Sequence, residues 1–322
     1  MKFGAVVIGR NEGERLRRCL ASLSSAAALV YVDSGSTDGS AKRARDQGVQ
    51  VLDLDTALPF TAARARNAGF RRLQEIAPEF AYVQFIDGDC ELIGGWPEKA
   101  VSFLDAHPEI AVVAGQLRER HPEESIYNWL CDQEWHGPAG EVQATGGIVM
   151  IRTTAFVAVG GYREDVIAAE DDELCIRIRE GGNRVWRLDC EMALHDAAMT
   201  HFRQWWRRAS RAGYAYMQVA ALHGKSSERY FAWESRRAWL FGLWFPLALL
   251  SAGLIWGGWA WALWLIYPMH ALQKIVRNTG PLPNRAKLAL FHVLGHFPET
   301  CGQIKFMIDR LLGKQARIIE YK

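Results

Sequence analysis

Apolar and polar positions alternate in blocks along the first two thirds of the chain. Phe3 to Ile8 is a strand-like apolar run, Leu16, Cys19, Leu20 and Leu23 recur at helical spacing, and Leu29-Val30-Tyr31-Val32 is the next run. Asp33 to Ser40 supplies turn residues and a helix cap, the segment to Gln47 predicts a helix, and Val49-Gln50-Val51-Leu52 a third strand. Strand and helix alternating in this way predict an α/β fold, a doubly wound and mostly parallel sheet with helices on both faces. Ala81 to Ile86 reads as a buried strand and Gly146 to Ile151 as a later one. Leu174, Ile178 and the terminating pair Gly181-Gly182 place Glu170-Asp171-Asp172-Glu173 in the first turn of a helix, where carboxylates are favoured by the dipole. Arg184 to Leu188 is a short strand, and His195 follows it.

The last third changes character. No charged residue occurs from Ala238 to Leu272, a stretch long for one membrane crossing and short for two. Arg236 and Arg237 flank one end, and Lys274, Arg277, Arg285 and Lys287 the other, so both ends are expected on the cytoplasmic side of a hairpin turning near Gly257-Gly258. A re-entrant or interfacial hairpin, a pair of core helices and a dimer interface are the other readings. Ala286 to Phe297 predicts a further apolar helix and Ile304 to Leu312 an amphipathic one. These patterns divide the chain into a catalytic part, 1–225, and a helical, membrane-associated part, 226–322, with the apolar hairpin at about 238–272.

Composition narrows the class. With 49% hydrophobic and 11% aromatic residues the chain is globular, and 38 basic against 36 acidic residues leave a net charge of +2, which argues against broad nucleic-acid binding. The 6 cysteines form no C-x-x-C pair, so neither a zinc site nor a disulfide framework is suggested. The apolar start is too short for a signal peptide, and the catalytic part is expected in the cytosol.

The chemistry concentrates at Asp87-Gly88-Asp89, where the strand Ala81 to Ile86 ends. Residues i and i+2 of an extended segment face one side, so two carboxylates separated by glycine make a site for a hard divalent cation that phosphate oxygens can complete. A solvated turn, a calcium loop and a phosphatase nucleophile are the alternatives. The calcium loop would need glycine where Leu92 stands. In doubly wound sheets ligands bind at the carboxyl ends of strands, and those ends carry Gly9-Arg10-Asn11-Glu12, Asp33, and Asp87 with Asp89. Neither G-x-G-x-x-G nor the G-x-x-x-x-G-K-[ST] phosphate loop follows the first strand.

The ordered set Val7-Ile8-Gly9-Arg10-Asn11-Glu12, Val32-Asp33-Ser34-Gly35-Ser36-Thr37-Asp38-Gly39, Ala65-Arg66-Asn67-Ala68-Gly69, Asp87-Gly88-Asp89, Gly160-Gly161-Tyr162 and Glu170-Asp171-Asp172-Glu173-Leu174 resembles a family 2 glycosyltransferase of the GT-A fold, membrane-associated and bacterial in type. The resemblance runs from about Phe3 to about Tyr216. It implies that Asn11, Glu12 and Asp33 lie along the nucleoside, that Arg66 faces the nucleotide, and that Asp87 contacts the ribose or sugar. It implies Mg²⁺ or Mn²⁺ on Asp89, with His195 as a further ligand. Asp171 becomes the general base of an inverting single displacement, with Glu170 and Asp172 as alternates.

Two departures matter. Ser34 replaces a second aspartate common in the family, and in Gln204-Trp205-Trp206-Arg207-Arg208 an arginine stands where processive synthases have a final tryptophan. Transfer of one sugar is therefore expected, and Arg207 either grips diphosphate or sits on an amphipathic surface helix. The donor is expected to be a nucleotide-diphosphate sugar and the acceptor a hydroxyl of a lipid-linked or surface glycan. The setting is the cytoplasmic face of a bacterial inner membrane, with no nucleic acid involved. A sugar-phosphate nucleotidyltransferase and a catalytically silent membrane adaptor are the competing functions. The segment Pro122 to Glu141, with Trp129, Trp135 and His136, is read as an acceptor-contacting loop.

Overall fold

A computed structural model describes residues 3–224, 226, 228–314 and 319. The chain divides into two compact units, Met1–Thr200 and His201–Lys322.

The first unit is built on one mixed sheet. Its strands are β1 (Phe3–Gly9), β2 (Ala28–Asp33), β3 (Gln50–Asp53), β4 (Tyr82–Asp87), β5 (Cys90–Leu92), β6 (Ile110–Glu119), β7 (Gly140–Glu141), β8 (Val149–Arg152) and β9 (Arg184–His195). They run in the order β3-β2-β1-β4-β8-β6-β9-β5, with β7 added beside β9. Pairing is parallel from β3 through β4, as the alternating apolar runs predict. Beyond β4 the sheet is mixed, because β8 enters antiparallel to both β4 and β6.

The helices of this unit are α1 (Glu14–Ser22), α2 (Ser40–Asp46), α3 (Ala62–Ile76), α4 (Trp96–Ala106), α5 (Ile126–Trp135), α6 (Thr153–Ala158) and α7 (Glu170–Glu180). Each sheet face carries its own apolar core. Val7, Leu16, Tyr31, Ile86, Trp96 and Met150 belong to one, and Val6, Val32, Phe70, Phe85, Phe156 and Leu174 to the other. Gly69 on α3 lets that helix close on the sheet: a Cβ there would stand 2.4 Å from Val6 and 2.8 Å from Val32. The segment 122–141, read from sequence as a loop, contains α5, whose first turn is capped by the Ser125 hydroxyl accepting from Asn128 N.

The second unit is helical: α8 (Phe202–His223), α9 (Ala232–Trp239), α10 (Phe245–Trp256), α11 (Ile266–Arg277) and α12 (Leu282–Leu311). It starts upstream of residue 225 because α8 packs along α12, where Gly213 and Gly302 allow the two backbones to touch. Trp205 meets Phe291 of α12 edge-on at 5.0 Å, while Arg207 is exposed. A π-helical turn, Leu240–Trp244, joins α9 to α10. Ala232–Trp256 is one continuous helical stretch with mean hydropathy 1.8, long and apolar enough to cross a membrane by length and composition. The chain then turns at Gly257, φ 74°, into the 3-10 segment Gly258–Leu265, which packs back on α10 through Trp261.

The two helices expected over 286–297 and 304–312 are one helix, α12. Pro298 sits inside it without breaking it, and two residues on the Thr300 hydroxyl lies within hydrogen-bond distance of the carbonyls of His296 and Ala238, tying α12 to α9.

Candidate active site

The site grows from the register of three parallel strands. Gly9 of β1 stands opposite Asp33 of β2, and Ile8 opposite Asp87 of β4, so the chemistry-bearing strand ends share one edge of the sheet. Gly88 follows directly. Its N–H donates to Ile8 O at 2.8 Å, and a Cβ there would come within 3.2 Å of Glu12 and 3.3 Å of Ile8 O. Glycine between the two aspartates thus leaves room for a close approach that a side chain would crowd by a few tenths of an ångström.

Asp33 is buried. Its carboxylate accepts from Tyr31 Oη at 2.8 Å and from the N–H groups of Gly35 and Ser36 at 3.0 and 2.8 Å. Asn11 clasps the same loop: its Oδ1 accepts from Thr37 N at 2.7 Å while its own N–H donates to Ser36 Oγ. Both residues therefore shape the loop after β2. That loop borders a cavity of about 460 Å³ lined by Asp33, Gly35, Ser36, Lys42, Arg45 and Asp53. Glu12 is ion-paired with Arg15 at 2.8 Å.

Asp89 and His195 are far apart in sequence, yet Asp89 Oδ2 lies 3.2 Å from His195 Nε2. The antiparallel pairing of β5 with β9 brings them together, placing Cys90 opposite His195. Trp135, from the end of α5, stacks on the imidazole at 4.4 Å and 17°. Glu119, opposite His195 on β6, accepts from the N–H groups of Ala197 and His121 and so fixes the chain that follows the histidine. Burial pushes the Glu119 carboxyl above its ordinary value against those two hydrogen bonds.

Arg66 is the centre of the arrangement. Its side chain is 2% exposed, and its guanidinium reaches Glu170 at 2.7 Å, Asp87 at 2.9 Å and Asp171 at 3.3 Å. One buried cation thus joins the end of β4 to the first turn of α7. The neighbouring motif residues explain how it is held. Asn67 exchanges hydrogen bonds with the backbone of Tyr162, and the Tyr162 ring lies 5.4 Å from the Arg66 guanidinium carbon. Gly147 crosses directly above, where a Cβ would stand 2.0 Å from Arg66 Nη2.

The four carboxylates of α7 separate by environment. Glu173 is wholly buried and bonded to Arg177, and Glu170 is buried on Arg66. Asp171 keeps 15% of its side chain exposed beside Arg66. Burial raises the Asp171 carboxyl well above the carboxylate range; Arg66 opposes this, and the charges of Glu170, Asp87 and Asp172 add to it. A carboxylate with raised proton affinity at the rim of a buried network suits proton abstraction.

Residues 5–154 match glycosyl transferase family 2, and residues 131–203 match the N-terminal domain of galactosyltransferase. Residues 5–154 form a family 2 glycosyl transferase domain. Two curated relatives carry consistent names. Succinoglycan biosynthesis protein ExoA of Rhizobium meliloti (strain 1021) is 28% identical over 188 residues, and the match spans 55% of each chain, about half of that relative's length. Glycosyltransferase AglE of Haloferax volcanii is 21% identical across 96% of this chain and 97% of its own. Among solved structures, the mannosyltransferase PcManGT from Pyrobaculum calidifontis, in complex with GDP-Man and Mn²⁺, superposes with TM-score 0.64 at 18% identity, covering 96% of this chain and 88% of its own. The fold is that of the GT-A transferases.

The structure gathers Asp87, Asp89, Arg66, Asp171 and His195 around the transferase strand edge. Asn11 and Asp33 are held by the β2 loop instead of pointing away from it. Sequence reasoning assigned no role to Glu119, Gly147 or Tyr162, although Tyr162 belongs to the motif Gly160-Gly161-Tyr162. It placed Trp135 at the acceptor, and the ring stacks on His195.

Proposed function

We propose that this protein is a metal-dependent, inverting glycosyltransferase that moves one sugar from a nucleotide-diphosphate donor to a hydroxyl of a lipid-linked or surface-glycan acceptor. The observation that carries the reading is Arg66, which ties the donor-side carboxylate Asp87 to the acceptor-side carboxylate Asp171. The acceptor oxygen attacks the anomeric carbon as the bond to the diphosphate oxygen breaks, and the hydroxyl proton passes to Asp171. Raised basicity helps Asp171 in that role, and the fixed guanidinium holds it in place. Asp87 is oriented toward ribose or sugar hydroxyls by the same cation.

The donor set of Asp89 and His195, a carboxylate oxygen and an imidazole nitrogen 3.2 Å apart, fits adjacent positions on a divalent ion. These two residues would hold Mn²⁺ or Mg²⁺, with the mixed O/N set favouring Mn²⁺. The ion would offset the charge of the departing nucleoside diphosphate. Asn11 and Asp33, through the loop they shape next to the cavity after β2, and Glu12, which follows Asn11, would border the nucleoside.

Exposed apolar side chains on the helical unit, Leu254, Ile255, Trp256, Trp259 and Leu265 among them, support membrane attachment. With basic residues at both ends of the apolar stretch, the inner membrane with the transferase domain in the cytoplasm is the setting that fits. The name of ExoA places that relative in succinoglycan biosynthesis, which supports an envelope or exopolysaccharide acceptor.

Calorimetric titration of the detergent-solubilised protein with UDP, GDP, dTDP and CMP, each with and without Mn²⁺, tests the reading. Binding of one nucleotide that needs both Mn²⁺ and Asp89, lost in Asp89→Ala, is expected. No metal-dependent binding to any of them would overturn it in favour of a silent adaptor.

A further inference from the structure

A second cluster of candidate ligands lies in the helical unit. His270 of α11 and His292 and His296 of α12 each offer one ring nitrogen within 4.8 Å of those of the other two. His292 and His296 are four residues apart and so share one helix face. The Nε2 atoms of all three are buried and make no hydrogen bond among the described residues. An unpaired buried imidazole nitrogen costs free energy, and three converging on one point is an arrangement that packing alone does not favour.

The surroundings prepare the rings for coordination. His296 Nδ1 lies 3.5 Å from Glu299 Oε2, an orientation in which the carboxylate takes the Nδ1 proton side and Nε2 presents its lone pair. Phe241, from the π-helical turn, stacks on His296 at 5.4 Å and meets His270 edge-on at 4.8 Å. Such turns within helices are frequent at functional sites. Arg237 and Lys274 act electrostatically on the His292 ring. The same two cations oppose a positive ion. Glu299 answers that field, lying 3.8 Å from Arg237.

We propose that His270, His292 and His296 form a binding site for a borderline divalent transition ion, Zn²⁺ foremost, that ties α11 to α12. Three imidazoles and no carboxylate ligand select Zn²⁺ over the harder Mn²⁺ and Mg²⁺. Three protein ligands leave one tetrahedral position for water. The site is separate in residues and in ligand chemistry from Asp89 and His195, and it stands whether or not the transferase reading does.

The test uses the full-length protein in detergent, stripped of metal and titrated with Zn²⁺ against a chromophoric chelator. The Asp89→Ala variant serves as the host, so that active-site binding is not counted. One tightly bound Zn²⁺ is expected in this host, lost on adding His270→Gln with His292→Gln. Adding Glu299→Gln should weaken it about tenfold, as for a residue that orients a ligand. Co²⁺ substituted into the same host should give the intense visible bands of a tetrahedral, nitrogen-ligated ion, which decides the matter should the histidine variants fail to fold. No stoichiometric Zn²⁺ in the host, Zn²⁺ retained unchanged without His270 and His292, or a weak octahedral Co²⁺ spectrum would each overturn the proposal.

Discussion

Arg66 in the transferase unit and the three histidines in the helical unit both bury polar groups, and they do so on opposite terms. Around Arg66 opposite charges meet: one guanidinium reaches three carboxylates while its Nε makes no hydrogen bond among the described residues, and the ring of Tyr162 and the strap at Gly147 lie against it. Around Phe241 the imidazoles have aromatic neighbours, and their Nε2 atoms make no hydrogen bond among the described residues. A network of opposite charges fixes the positions of its members, whereas neutral donors and acceptors without partners favour the arrival of a further group. The difference separates the network that would hold the proposed base from the cluster proposed to bind an ion.

The sharpest way to probe the ion-paired side is Asp171→Asn. The amide keeps the shape of the side chain and removes the base, so turnover should fall by about 10²–10⁴-fold while calorimetry shows donor binding retained. In the unaltered protein the acid limb of the kcat profile should lie above the ordinary carboxylate range of about 4, because the folded environment raises Asp171 and the base works only when ionised. The sign for stability runs the other way. A carboxyl raised on folding favours the folded state below its ordinary value, and that contribution is lost as pH rises through the raised one. The Asn variant should therefore lose less stability than the parent between those two points in a denaturant series measured against pH.

Arg66→Met tests whether the network is closed at all. It leaves Glu170 buried without its cation, and a loss of about 3–5 kcal/mol in denaturant unfolding is expected. A variant as stable as its parent would show that the two clusters do not differ in kind. Gly69→Ala asks how tightly α3, the helix that carries Arg66, is seated: the added methyl would overlap Val6 and Val32, costing about 1–3 kcal/mol in the same assay. Thr300→Val is the mildest. It removes the hydroxyl that caps the Ala238 and His296 carbonyls next to the histidine cluster, and about 1 kcal/mol should be lost in thermal unfolding.

Much of the transferase side was legible because its chemistry sits at strand ends, where local patterns announce themselves. The apolar runs located β1, β2, β3 and β4, and the register then lined up Gly9, Asp33 and Asp87 without further information. The direction in which each polar residue turns was not legible. Arg66 was expected at the nucleotide, and nothing local shows that Glu170 and Asp171 will come to meet it. Asn11 and Asp33 were likewise matched to the nucleoside, while the loop between them claims their oxygens. In the helical unit the apolar pattern suggested separate helices over 286–297 and 304–312, and the chain runs through as one, with Pro298 inside it. The His292 and His296 spacing was a visible signal, but its partner His270 lies on another helix, and no motif links them.

The Arg66 clamp also has a meaning in time. The contact with Glu170 joins positions 104 residues apart. Closing a flexible loop of that length costs on the order of 4 kcal/mol of chain entropy, which only the packed sheet can recover. A half-folded chain that has delivered Arg66 and Asp87 but not α7 holds the Arg66–Asp87 pair alone and lacks the contacts to Glu170 and Asp171. The proposed base Asp171 and the guanidinium beside it therefore come together only once α7 has packed.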